Sequence, residues 1–108
     1  MAIERARGQA APFTFALPDE GGLKITGAAA RLDTHTILDD GTGPQAGPVP
    51  SVSEIDGHPG DYCVTFTIPA DAVVGSLFTS IAVDPITLHE AEETFVATAA
   101  SAIQGVGF

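Results

Sequence analysis

The stretch 61–68, Asp-Tyr-Cys-Val-Thr-Phe-Thr-Ile, decides the fold. Successive side chains of a strand point to opposite faces. Tyr62, Val64, Phe66 and Ile68 therefore share one face, and Asp61, Cys63, Thr65 and Thr67 share the other. Pro69 ends the run because it has no N–H for a ladder. The same period recurs on both sides. Upstream, Phe13, Phe15 and Leu17 alternate with Thr14 and Ala16. Downstream, Leu77, Thr79, Ile81 and Val83 oppose Phe78, Ser80 and Ala82, until Asp84-Pro85 stops the run. Weaker strands are expected at 23–26, 28–38, 51–55 and 92–99. Turn-forming clusters separate them, at 18–22 (PDEGG) and 56–60 (DGHPG). The stretch 39–50 (DDGTGPQAGPVP) holds three glycines and three prolines, and is expected to be a loop. About seven short strands with Gly/Pro turns point to an all-β, antiparallel β-sandwich, with a small β-barrel as the alternative. The organisation expected is an arm at 1–11, the sandwich at 12–99 and a small-residue tail at 100–108.

Charge narrows the function. The chain has 4 Lys+Arg against 14 Asp+Glu, a net charge of −10. All four cations, Arg5, Arg7, Lys24 and Arg31, precede Leu32, and no cation follows. Nucleic-acid binding needs cations to displace counterions from phosphates, so no nucleic acid is expected as partner. No membrane is expected either, since anionic surfaces repel such a chain and no run approaches the ~20 apolar residues of a spanning helix. Apolar residues make up 44%, enough for one folded core despite the acidity. The opening residues lack the apolar stretch of a signal peptide. Cys63 is the single cysteine, which excludes an internal disulfide and suits a reducing cytoplasm.

Catalytic and metal signatures are wanting. His35, His58 and His89 fall in a strand, a turn and an acidic stretch. His89-Glu90-Ala91-Glu92-Glu93 lacks the second histidine of a zincin motif. Asp39-Asp40-Gly41 departs from the spacing of an EF-hand loop and reads as a turn. Cys63 has no histidine near it in sequence. The chain is therefore expected to be no enzyme and to need no cofactor.

The outer faces of the best strands say more. Cys63, Thr65 and Thr67 on one, and Phe78 with Ser80 and Ala82 on the other, carry no charge. Uncharged faces in so acidic a chain suit packing against a partner. Arg5 and Arg7 in the arm, and Ile103, Val106 and Phe108 in the tail, complete the expected interface.

A family resemblance points the same way. Phe13-x-Phe15-x-Leu17-x-Asp19 followed by Gly22-Leu23-x-Ile25-Thr26-Gly27-Ala28 resembles the opening of small structural-protein domains of tailed phages. The stretch Val52-Ser53-Glu54-Ile55, then Gly60-x-Tyr62-x-Val64-x-Phe66, is similar to a later strand of those domains. Asp84-Pro85 with Glu92-Glu93 is similar to their closing segment. The chain lacks a proline before Leu23 and carries the long 39–50 stretch, which leaves the subfamily open. The resemblance implies an Ig-like sandwich in a virion or phage-like particle, in a decoration, neck, baseplate or fibre-associated role. It implies assembly in the host cytoplasm, with capsid or tail subunits as partners and self-association as a further option. The alternative function is a binding module that recognises a host-surface glycan or other ligand through loop 39–50.

Overall fold

The computed structural model describes residues 2–19 and 21–99. Eight strands follow one another: β1 (Ile3–Ala6), β2 (Ala10–Ala16), β3 (Asp33–Asp39), β4 (Pro44–Ala46), β5 (Ser51–Glu54), β6 (Asp61–Thr67), β7 (Leu77–Val83) and β8 (Glu90–Thr98). Five form one sheet in the order β1-β8-β7-β3-β4, and three form the other in the order β2-β6-β5. Neighbours are antiparallel except β1, which runs parallel to β8. The central β2-β6-β5 against β8-β7-β3 is the arrangement of an immunoglobulin-type sandwich, with β4 added beside β3. The sheets remain open, so the barrel alternative is set aside.

Aromatic residues from both sheets lock the layers together. Phe66 of β6 lies 5.7 Å from Phe78 of β7 and 5.8 Å from Phe95 of β8, ring centre to ring centre. Ala11, Ile68 and Ala97 fill the gaps around them. A second cluster of Leu17, Ala28, Leu32 and Tyr62 fills the other half of the interior. The inward face of β6 is the expected one, with Tyr62, Val64, Phe66 and Ile68 all buried.

On β7 the expected faces are exchanged. Phe78, Ser80 and Ala82 point inward, and Phe78 is 0% exposed. Leu77 is exposed on the outside. Both faces of this strand carry apolar residues, so the alternation alone does not orient it. The large ring of Phe78 claims the core, while small Ser80 and Ala82 let the sheets approach. Phe78 is therefore a core residue and not part of an interface.

Four further expectations change. The stretch read as an arm contains β1, whose Ala6 is buried and whose Ile3 packs on the aromatic cluster. The stretch 39–50 contains β4, paired to β3 from Ile37↔Ala46 to Asp39↔Pro44. Pro44 is tolerated because β4 is an edge strand. Residues 23–26 form no strand beyond a single bridge, Pro18↔Lys24. Residues 29–31 form one 3-10 turn before β3 begins.

One end of the sandwich gathers the connections 17–32, 55–60 and 84–89. We call it the upper end. Gly60 closes its middle turn with φ +86°, and a Cβ there would run into Lys24 Cβ. Gly60→Ala therefore combines a left-handed backbone with a steric clash. It should lower stability by about 2 kcal/mol, read as a melting temperature lower by about 10 °C.

Candidate docking face

The outer face of the three-stranded sheet is built by period-2 alternation on three strands in register. From β2 it receives Ala10, Pro12, Thr14 and Ala16, and from β6 Thr67, Thr65 and Cys63 beside them. From β5 it receives Ser51 beside Thr65 and Ser53 beside Cys63. None of these nine residues is charged, and each is exposed or half-buried. Asp61 stands at the upper rim of the face, opposite Ala16. It is paired with Lys24, whose Nζ lies 2.8 Å from Oδ1. The face thus presents small side chains without a carboxylate in its field, in a chain of 14 acids. Two strands of seven residues and one of four, about 4.8 Å apart, offer roughly 300 Å².

The sheet edges are less inviting. An open edge is a template for strand addition, and proteins blunt edges with proline, charge or shortness. β2 carries Pro12 in its middle, and β4 begins at Pro44 and is three residues long. β5 has four residues and follows Pro50, and β1 has four residues with Glu4 and Arg5. All four edge strands are thus blunted against strand addition.

The upper end is braced from within. Asp84 is 0% exposed, and Arg31 grips its carboxylate with two bonds: Nε donates to Oδ1 at 3.0 Å and Nη2 to Oδ2 at 2.6 Å. The Ile86 N–H and the Thr87 hydroxyl donate to the same carboxylate. These bonds hold Asp84 down to about 2 against its ordinary 3.8, the Arg31 guanidinium being the main cause. The same partner raises Arg31. Tyr62 donates its hydroxyl to the Ile25 carbonyl at 2.7 Å and accepts from the Ala28 N–H at 3.1 Å. Glu54 accepts from the N–H groups of Gly27 and Gly60. The turn 84–89 is shaped by this brace. It holds Leu88 at φ +64° and leaves Ile86 and Leu88 exposed.

The residues singled out from the sequence are dispersed. Cys63, Thr65 and Thr67 lie together on the outer face of the three-stranded sheet, as their spacing predicts. Phe78 lies in the core. Arg5 sits over the Phe95 ring, 5.9 Å from its centre, and donates to the Glu4 carbonyl. Arg7 donates to the Ala72 carbonyl at 3.3 Å, at the lower end. Both are parts of the fold rather than of a loose arm. Ile103, Val106 and Phe108 lie outside the described residues. Six members of the face, Ala10, Pro12, Thr14, Ala16, Ser51 and Ser53, escaped the sequence reading. The alternation of Thr14 and Ala16 with Phe13 and Phe15 was the available signal.

His35 faces outward on β3, while His58 and His89 occupy different turns. Among the described residues no three His, Cys, Asp or Glu side chains converge as metal ligands would. Asp39 accepts from the Gly41 N–H at 2.9 Å, and Asp40 from the Thr42 N–H and hydroxyl at 3.1 and 2.6 Å. The Thr42 bonds lower the Asp40 carboxyl below its usual range. These carboxylates serve the turn between β3 and β4. No helix among the described residues is long and apolar enough to cross a membrane. Comparison with family models, with curated proteins and with solved structures returned no match.

Proposed function

We propose that the chain is a non-enzymatic docking module that packs in many copies on a larger protein assembly. The docking surface is the outer face of the three-stranded sheet. The observation that carries this reading is the field of nine small uncharged residues on a sandwich of charge −10. The sequence resemblance supports reading that assembly as a phage or phage-like particle, with the module as decoration, neck or tail component. A face of roughly 300 Å² is well below the ~800 Å² per partner of a stable pairwise complex. Such a face suits a component held by several neighbours at once, where effective concentration multiplies weak contacts. The glycan or ligand reading through loop 39–50 draws less support, because Asp39 and Asp40 are engaged by their own turn.

The test is a charge placed in the middle of the face. Thr65→Glu should leave stability within about 0.5 kcal/mol, since the position points outward. Co-sedimentation with the native particle should fall by at least about tenfold, because the new carboxylate would be stripped of water against a flat partner. Undiminished co-sedimentation of a folded Thr65→Glu chain would overturn the reading. Removal of residues 1–10 is a poor substitute, because it takes away β1.

A further inference from the structure

The five-stranded sheet has its own outer face, on the side away from β2-β6-β5. Its middle strand, β7, turns Leu77, Thr79, Ile81 and Val83 to that side, while Phe78, Ser80 and Ala82 point inward. Ile37 of β3 stands beside Thr79, and Val96 of β8 stands beside Leu77. The Thr79 and Thr94 hydroxyls share a hydrogen bond of 3.0 Å, so the polar groups in the middle of this stripe are partnered. A strand apolar on both faces is typical of a sheet covered on both faces, and helices are the usual cover. Among the described residues nothing covers this one. Leu77 is 42% exposed and Ile37 37%, and the described helical structure is a single 3-10 turn.

We propose that this face seats an amphipathic helix of a partner protein, its apolar stripe laid along β7 and lysine or arginine on both flanks. The flanking charge is what selects the occupant. Asp33 of β3 and Glu90 of β8 stand on either side of Val83, and Glu92 stands beside Ile81. Glu4 of β1 lies beyond Val96. All four carboxylates are exposed, and none is in an ion pair among the described residues. β3 and β8 lie two strand spacings apart, about 10 Å, which is about the diameter of a helix. Basic side chains on the two sides of such a helix lay their stems over apolar surface and bring their charges to these carboxylates. The seven residues of β7 run about 23 Å, the length of roughly 15 helical residues. A second copy of the chain fits poorly, because its four cations are committed. Arg5 lies over the Phe95 ring, Arg7 bonds the Ala72 carbonyl, and Lys24 and Arg31 are paired. Residues 100–108 fit poorly as well, since they carry no charge to answer the acids.

The face can be tested on the whole chain with a peptide probe of about 15 residues. The probe carries leucine along one helical stripe, lysine on both flanks and alanine elsewhere. One control has the same composition in scrambled order, and a second has glutamate in place of lysine. Amide shifts are followed by NMR as each peptide is added. Saturable shifts confined to 33–37, 77–83 and 90–96 are expected, with binding of both controls at least about tenfold weaker. Leu77→Lys puts a cation into the stripe at an exposed position and should weaken the lysine peptide at least about tenfold. The double change Glu90→Gln with Glu92→Gln leaves the apolar stripe intact and should weaken it about fivefold. Thr65→Glu should leave the titration unchanged, which separates this face from that of the three-stranded sheet. Absence of a localised saturable shift with the lysine peptide would overturn the proposal. So would equal binding of the scrambled peptide, shifts centred on β2, β6 and β5, or a folded Glu90→Gln, Glu92→Gln chain that binds as the wild type does.

Discussion

Phe78→Ala is expected to cost about 4 kcal/mol of folding stability, within the range for removing a buried phenylalanine. The ring is 0% exposed and touches Phe66 across the sheets. Its loss leaves a void bounded by Phe66, Phe95 and Ile68, which belong to both layers and cannot close in without bending a strand. Urea unfolding should show the midpoint shifted with the slope retained, and the melting temperature should fall by roughly 20 °C. The same substitution would do little at a residue that served only to meet a partner. A folded Phe78→Ala chain within about 0.5 kcal/mol of the wild type would therefore return Phe78 to the surface.

Asp84→Ala should be the most damaging polar substitution, at about 3 kcal/mol. It removes the acceptor of four hydrogen bonds, leaving the Ile86 N–H, the Thr87 hydroxyl and the Arg31 guanidinium to find water. It also unlocks 17–32 from 84–89, because Arg31 and Asp84 join those two connections. The native carboxyl titrates at about 2 rather than 3.8, so its contribution is present above about pH 4 and is lost as pH falls toward 2. That contribution is about 2 kcal/mol. Asp84→Asn retains the shape and lacks the titration. Wild-type stability should thus fall more steeply than that of Asp84→Asn between pH 5 and pH 2, as measured by urea unfolding. Parallel pH profiles would show that the pair does not carry the acid sensitivity.

These two residues also mark where the sequence could be read and where it could not. β6 was legible because its two faces differ in every position: large apolar residues on one, Asp, Cys and Thr on the other. On β7 the length was legible and the orientation was not, because Leu77, Ile81 and Val83 compete with Phe78 for the inside. What decided it was the position of Phe66 and Phe95, which only the assembled sheets reveal. The Arg31–Asp84 pair joins residues 53 apart and leaves no local trace. β4 was hidden by a sound rule about glycine and proline that an edge strand is free to break. Part of the uncharged outer face followed from Cys63, Thr65 and Thr67. The rest required the strand order β2-β6-β5, which no alternation pattern contains.

The parallel pairing of β1 with β8 has a kinetic consequence. Ile3 is matched to Phe95, and Ala6 to Thr98. Nearly the whole sandwich therefore lies, in sequence, between β1 and its neighbour. Without β1, β8 is an open edge of the five-stranded sheet. Contacts so distant in sequence slow the search, typically to milliseconds or longer for sandwiches. Among the strand pairings of the fold this one spans the longest stretch of sequence, and it completes the sheet that carries Phe78.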